Sequence, residues 1–234
     1  HTSFQRLLGG WRRKVYGRDG IKRTFLPAHG RIFLIMAAAY DTYDYPSYWE
    51  GREYEHASEV HAIKAFLEKI NKIDTTLEIG AGYGRLLPAY AFRSKRVIIS
   101  DPSSKLLGVA RRTFEGQKNI KYIHAQAENL DQKVRTGSVD LVVMVRVMHH
   151  LEKPDEIFKV VRRVLRKNGY FILEIANKQH FKAQVSEFFK GNFTFPLDIF
   201  PKDIRSKRSI AKNTLPFINY HPGLIEHKLG RHGF

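Results

Sequence analysis

Three closely spaced glycines, Gly80, Gly82 and Gly84, form the segment of this sequence that is best suited to bind a ligand. Glycine has no Cβ, so such a loop can turn sharply and bring its backbone against a ligand. A pyrophosphate-binding loop would read G-x-G-x-x-G, whereas Arg85 stands here at the position of the last glycine. The carboxylate of Glu78 beside the loop would repel a pyrophosphate. The pattern therefore favours a ligand that carries positive charge, with an ordinary strand-to-helix turn as the alternative.

A second carboxylate, Asp101, lies 21 residues beyond Gly80, at the end of the apolar run 97–100. In Rossmann-like sites an acid about 20 residues after the loop accepts hydrogen bonds from the ribose hydroxyls. A carboxylate suits this task because it can accept from both hydroxyls at once. The alternative is a helix cap, since Pro102 and the following serines could begin a helix here. The spacing favours the ribose role.

Two adjacent histidines, His149 and His150, follow another apolar run, at residues 138–145. Histidine is the side chain best suited to take a proton near neutral pH, and a positioned base contributes roughly 10²–10⁴ in rate. Adjacent side chains at a strand end point in different directions, so we expect only one of them to reach an acceptor. We expect His149 to face the acceptor and His150 to pack. Structural packing of either ring against backbone is the alternative.

These residues fall at the ends of short apolar runs that alternate with helical patterns. The runs predict strands at residues 76–79, 97–100, 120–124, 138–145 and 169–175. Helical spacing of apolar residues is found at 60–70 and 154–166, and the sequence Lys167-Asn168-Gly169 predicts the end of the second helix. The alternation predicts an α/β fold with a doubly wound, Rossmann-like parallel sheet and flanking helices, in which the strand ends meet at one edge.

Four of these segments, in this order, resemble the motifs of the class I S-adenosylmethionine (SAM)-dependent methyltransferases, in particular the type 11-like group. They are Leu77-Glu78-Ile79-Gly80-Ala81-Gly82-Tyr83-Gly84, the strand that ends in Asp101, Ala125-Gln126-Ala127-Glu128-Asn129-Leu130, and Val139-Asp140-Leu141-Val142-Val143 with His149-His150-Leu151 after it. The resemblance implies SAM as the cofactor and an in-line methyl transfer as the reaction. SAM carries an ammonium and a sulfonium, which agrees with the charge of Glu78.

The resemblance also implies which residues hold the cofactor. They are Arg52, Glu78, Gly80, Ala81, Gly82, Gly84, Asp101, Gln126, Ala127, Glu128, Val145 and Arg146. Arg52 would meet the SAM carboxylate. At Gln126 the family often has an acid that accepts the adenine amino group, and the glutamine carbonyl can accept the same bond. No metal site is expected.

An aromatic cluster lies between the basic N-terminal residues and the first predicted strand. Its members are Tyr40, Tyr43, Tyr45, Tyr48, Trp49 and Tyr54. By the same resemblance, Tyr45 or Trp49 would cover the cofactor. A hydrophobic clamp between the N-terminal helix and the sheet is an equally good interpretation.

The composition limits the chemistry and indicates the partners. The chain has no cysteine, which excludes disulfides, thiolate metal sites and the cysteine nucleophile normally used to methylate C5 of a pyrimidine. Of the net charge of +17, residues 1–35 carry +7, residues 178–234 carry +6 and the centre carries +4. Basic flanks suit an anionic partner such as RNA, a phosphorylated substrate or an acidic membrane surface, or they are simply solvated. No transmembrane segment or signal peptide is predicted, which favours a cytoplasmic location.

We expect three regions: a basic N-terminal helical extension at 1–44, a SAM-binding core at 45–177, and a cap with a C-terminal helix at 178–234, inserted after strand five of the same domain. The chain is expected to stop before the family's final β-hairpin or to lack it. A small-molecule or lipid acceptor is the first choice. The alternatives are an RNA methyltransferase that uses the basic flanks, a non-catalytic SAM- or nucleotide-binding module, and an NAD-binding oxidoreductase, which Arg85 and Glu78 disfavour. The sequence has no Asn/Asp-Pro-Pro-Tyr/Phe motif, and this absence disfavours methylation of the exocyclic amines of bases.

Overall fold

The computed structural model describes residues 40–41, 44–212 and 214–234, so most of the predicted extension at 1–44 lies outside the described residues. The centre is a parallel five-stranded sheet with the strand order 3-2-1-4-5. Its strands are β1 (Ile73–Ile79), β2 (Ser94–Asp101), β3 (Ile120–His124), β4 (Val139–Met144) and β5 (Leu165–Leu173). The order reverses between β1 and β4, which confirms the predicted doubly wound fold.

Helices connect the strands and cover the sheet. They are α1 (Glu53–Glu68), α2 (Leu87–Tyr90), α3 (Ser104–Thr113), α4 (Pro154–Val164), α5 (Phe181–Phe189), α6 (Lys207–Ala211) and α7 (Pro222–Arg231). Short 3₁₀ segments lie at Ser47–Trp49, Ala91–Arg93, Ala127–Gln132, Met148–His150 and Phe195–Leu197. Two further short strands, β6 (Lys202–Asp203) and β7 (Ile218–Asn219), pair antiparallel. No helix among the described residues is long and apolar enough to cross a membrane.

The two central strands are buried along almost their whole length because helices cover both faces of the sheet. Leu77 of β1 and Val142 of β4 have no exposed surface and pack in one apolar cluster with Phe158 of α4. A second cluster joins Val143 to Leu67 of α1. Burial of each such side chain contributes about 1.5–3 kcal/mol, so the sheet rigidly positions the loops at its carboxyl edge.

The predicted boundary between α4 and β5 is wrong. The helix was expected to reach residue 166 and to stop at Lys167-Asn168-Gly169, but it ends at Val164, and β5 begins at Leu165. The Lys-Asn-Gly segment is instead an irregularity within the strand: Asn168 has φ 61°, and the β4–β5 register shifts between Val139 and Leu141. A local turn signal cannot distinguish a helix stop from a bulge in the next strand.

Residues 178–219 form an excursion that leaves and returns at the carboxyl end of β5. The Lys178 N–H donates to the Tyr220 carbonyl and the Tyr220 N–H to the Ala176 carbonyl, both at 2.9 Å. The Lys178 ammonium is buried; it donates to the carbonyls of Asp198 and Phe200 at 3.0 and 2.7 Å and pairs with the Asp198 carboxylate. The predicted insertion after strand five is therefore present, anchored at the edge of the sheet that bears the glycine loop.

Candidate active site

The loop after β1 is fixed to the end of β2 by backbone hydrogen bonds. The N–H groups of Gly80 and Ala81 donate to the Ser100 carbonyl at 2.8 and 3.0 Å, and the Gly82 N–H donates to Asp101 Oδ2 at 2.8 Å. Gly80 and Gly82 have φ values of 71° and 56°, in the left-handed region that favours glycine. A Cβ on Gly80 would lie 2.2 Å from Val147 Cγ2. The loop therefore needs glycine at position 80 for both conformation and space.

Asp101 ties this loop to the start of α3. Its Oδ1 accepts the Ser103 N–H at 2.8 Å, and its side chain is almost fully buried. Burial raises the pKa of Asp101 to about 6, although the two backbone hydrogen bonds act in the opposite direction. The cap of α3 is Ser103, whose Oγ accepts the Leu106 N–H at 3.2 Å. Since each carboxylate oxygen can accept more than one hydrogen bond, Asp101 keeps acceptor capacity for a ligand.

Two cavities meet at Gly80. The first encloses about 440 Å³, including its open mouth, and its lining includes Tyr40, Tyr45, Gly82, Asp101, Arg146 and His150. The second encloses about 300 Å³, again including its open mouth. Its lining includes Ser100, Ala125, Gln126, Ala127, Glu128 and Leu151. Gly80, Pro102 and Val147 line both. The two cavities therefore adjoin at this glycine.

Eight of the twelve residues predicted to contact the cofactor line these cavities. Gly80, Gly82, Asp101, Val145 and Arg146 line the first, and Gln126, Ala127 and Glu128 line the second, together with Gly80. Their contacts with the cofactor stay predictions.

The other four predicted residues are not part of the lining. Glu78 is buried and accepts a hydrogen bond from Tyr90 Oη at 2.5 Å, and burial raises its pKa to about 7. Arg52 pairs with Glu55 at 3.1 Å. Ala81 belongs to the apolar core, and a Cβ on Gly84 would lie 2.8 Å from the ring of Phe114.

The two histidines are placed in the reverse of the expected arrangement. His150 lines the first cavity, whereas His149 is buried with its ring centroid 4.4 Å from that of Phe217. They lie in the 3₁₀ turn Met148–His150, where successive residues point about 120° apart. Burial lowers the pKa of His149 to about 3, so this ring is neutral at pH 7.

His150 is oriented by two hydrogen bonds. Its Nδ1 lies 2.8 Å from the Pro216 carbonyl oxygen, which can only accept, so Nδ1 carries the proton. Its Nε2 is then the acceptor, and the Tyr40 hydroxyl lies 2.6 Å away. Burial lowers the pKa of His150. The ring therefore presents an unprotonated nitrogen toward the cavity.

The aromatic cluster divides between the cavity and the packing of α1. Tyr45 lines the first cavity, whereas the Trp49 ring packs against two guanidinium groups: Arg85 Cζ lies 3.5 Å and Arg146 Cζ 4.7 Å from its centroid. Both arginines also pair with Glu59 of α1, Arg146 Nε at 2.5 Å. Tyr45 is thus part of the cavity lining, and Trp49 packs between α1 and the strand ends; that Tyr45 covers a bound cofactor stays a prediction. Tyr43 lies outside the described residues.

Sequence reasoning missed several residues that shape the site. Val147 crowds Gly80, Glu59 holds both arginines, and the Pro216 carbonyl fixes the His150 tautomer. A backbone carbonyl carries no residue-type signal, so Pro216 could not have been found. The Glu59 side chain falls on the helical pattern of α1, but nothing in that pattern indicates its partners.

Comparison with known proteins relates this site to methyltransferases. Residues 77–173, from within β1 to the end of β5, match the family described as "Methyltransferase domain". A malonyl-[acyl-carrier protein] O-methyltransferase from Marinomonas sp. is 32% identical over 44% of this chain and 38% of that enzyme. The tRNA 5-carboxymethoxyuridine methyltransferase of Escherichia coli is 25% identical over 58% of this chain and 51% of that enzyme. The chain thus spans only about two fifths to one half of these curated relatives.

A solved structure shows the same fold over most of the chain. A SAM-dependent methyltransferase from Thermotoga maritima superimposes with a TM-score of 0.59, covering 87% of this chain and 81% of that protein, at 20% sequence identity.

Proposed function

We propose that this chain, whose residues 77–173 match a methyltransferase family, is a class I SAM-dependent methyltransferase that acts on a small-molecule or lipid acceptor, and that His150 takes the acceptor's proton. SAM supplies an electrophilic methyl group on a positively charged sulfur. The chain's own contribution is then to hold donor and acceptor in line, which is worth several kcal/mol of the barrier, and to receive the proton.

The residues around the two cavities fit this cofactor. The Asp101 carboxylate can accept bonds from ribose hydroxyls, and the Gln126 carbonyl oxygen from an adenine amino group. The two cavities meet at Gly80, and a Cβ there would strike Val147, which lines both. A ligand with a nucleoside at one end and an amino acid at the other suits such a two-part site.

The observation that carries the proposal is the geometry of His150. A general base must begin unprotonated and within hydrogen-bond reach of the proton it removes. The Pro216 carbonyl holds the proton on Nδ1, and burial keeps the ring neutral. The Tyr40 hydroxyl, 2.6 Å from Nε2, marks the position that an acceptor O–H or N–H would take. SAM, held by Asp101 and Gln126, would supply the methyl group, and its carbon–sulfur bond would break as the acceptor's lone pair takes the methyl and the demethylated cofactor leaves. The acceptor's proton would pass to His150 Nε2, with the acceptor in place of the Tyr40 hydroxyl.

A methyl-transfer assay on matched histidine variants tests this role. Purified protein with methyl-labelled SAM would be screened against hydroxyl- and amine-bearing small molecules and lipids. With an acceptor in hand, His150→Ala should lower kcat by roughly 10²-fold or more with little change in SAM affinity. His149→Ala is the control, since it should mainly lower the Tm. Wild-type turnover in His150→Ala would mean that alignment alone carries the reaction.

RNA is the second candidate acceptor, and two observations favour it: the net charge of +17 and the similarity to a tRNA methyltransferase. We expect only weak RNA binding whose logarithm falls linearly with the logarithm of salt concentration, because bound phosphates release counterions. Filter binding across a salt series measures it. Tight, sequence-selective binding at physiological salt would make RNA the preferred acceptor.

A further inference from the structure

The excursion after β5 exposes a group of aromatic side chains that no other part of the described chain covers. Phe181, Phe188, Phe189 and Phe193, here called the aromatic face, are 59–83% exposed. They line one groove, and the Phe188 ring centroid lies 5.8 Å from that of Phe189 and 5.3 Å from that of Phe193. Contiguous apolar patches of this kind are rare on monomeric soluble proteins and mark interaction sites.

The aromatic face is held outward by an ordered scaffold. The buried Lys178 ammonium binds the carbonyls of the segment that follows α5, and the Gln179 amide donates to the Pro196 carbonyl. The turn after α5 is closed by the Asn192 N–H, which donates to the Glu187 carbonyl at 2.9 Å. The backbone therefore holds the rings in water. Exposed apolar surface has an unfavourable hydration free energy, which burial against a partner would remove.

The charges around the aromatic face are strongly positive. Residues 178–212 contain eight Lys/Arg and three Asp/Glu. Each acid pairs within the excursion: Glu187 with Lys190, Asp198 with Lys178, and Asp203 with Arg205. Among the described residues, the exposed side chains of Lys182, Lys207, Arg208 and Lys212 have no acid within salt-bridge distance. The excursion thus combines exposed phenyl rings with uncompensated cations.

We propose that the aromatic face docks this protein on the surface of an anionic lipid bilayer. Phenyl rings gain by entering the boundary between headgroups and acyl chains, while lysines and arginines are attracted to lipid phosphates. A purely apolar partner groove would leave the cations without a function. The excursion returns through Pro216, whose carbonyl accepts from His150 Nδ1 at 2.8 Å, so the segment proposed to meet the bilayer leads directly to the candidate base. Docking needs neither SAM nor an acceptor, so it goes beyond the proposed function and is tested separately.

Vesicle co-sedimentation of the full chain tests the proposal. Wild type should bind vesicles that contain phosphatidylglycerol, bind pure phosphatidylcholine vesicles more weakly, and lose affinity as salt is raised. Phe181→Ser/Phe189→Ser should reduce binding to the anionic vesicles by about tenfold or more. Phe92→Ser is the matched control, because Phe92 is 69% exposed but lies outside the excursion; it should bind as wild type does. A thermal melt confirms that each variant is folded.

Three results would overturn the proposal. The first is no binding of wild type to anionic vesicles at low salt. The second is wild-type binding by Phe181→Ser/Phe189→Ser, which would assign the attraction to the basic flanks alone. The third is a wild-type dimer in light scattering that this double substitution converts to monomer without any vesicle binding, which would make a second copy the occupant of the aromatic face.

Discussion

Replacing Gly80 with alanine adds one methyl group at the point where the two cavities meet. The new Cβ would lie 2.2 Å from Val147 Cγ2, closer than real Cβ contacts come, so one of the two must move. A left-handed φ costs a non-glycine residue about 1–2 kcal/mol, and overpacking a filled site about 1–3 kcal/mol. The free energy of unfolding should therefore fall by about 2–5 kcal/mol, within the typical stability of a domain, so the protein should stay folded.

Three further variants, compared by urea unfolding, separate the cost of the left-handed φ from the cost of overpacking against Val147. Gly51 has a similar φ of 73°, and a Cβ there would have no neighbour within 4 Å, so Gly51→Ala should show the backbone cost alone. Val147→Ala removes the methyl group that Gly80→Ala would strike. The double variant Gly80→Ala/Val147→Ala should therefore lose less stability than the two single losses predict together.

The same variants address the cofactor. Calorimetry should show a large loss of SAM affinity in Gly80→Ala and a smaller one in Val147→Ala, because only the first adds atoms at the junction. If Gly80→Ala unfolds with the same free energy as Gly51→Ala, or if the double variant is strictly additive, Val147 does not crowd this loop and the reasoning is refuted.

Three other substitutions give independent expectations. Asp101→Ala should weaken SAM binding in calorimetry by about 1.5–3 kcal/mol, the range for a hydrogen bond to a charged group; unchanged affinity would remove the ribose role. Burial raises the pKa of Glu78 to about 7, so the native state keeps a proton that the unfolded chain loses. Wild type should therefore lose stability relative to Glu78→Gln as pH rises from about 4.5 to 7. If the free energy of unfolding in urea changes with pH by the same amount in both proteins, this expectation is wrong. Burial lowers the pKa of His149 to about 3, so its contribution has the opposite sign: stability should rise with pH between about 3 and 6.5. His149→Phe should flatten that rise, and an unchanged slope would show that the buried ring is not held neutral.

The fold was predictable because its signals are local and repeated. Each strand contains a short, largely apolar run, and the alternation with helices leaves few topologies for a parallel sheet. The glycine loop and Asp101 were recognisable for the same reason, since their spacing from the strands fixes them at one edge.

The orientation of individual side chains was not predictable from such patterns. Strand-end reasoning assigned His149 to the cavity, but a 3₁₀ turn directs His150 there instead. Glu78 looked like a ligand for a cation because of its position in sequence, yet its side chain points into the core, to Tyr90. Neither the 3₁₀ turn nor the Tyr90 partner of Glu78 is marked by the residue types of these motifs.

The most direct test of the account is a calorimetric titration of the wild-type chain with SAM, with NAD as the competing dinucleotide. We predict one SAM bound per chain, weakened by Gly80→Ala and by Asp101→Ala, and no binding of NAD. Binding of NAD in place of SAM, or SAM affinity unaltered in both variants, would contradict a cofactor that spans the two cavities at Gly80.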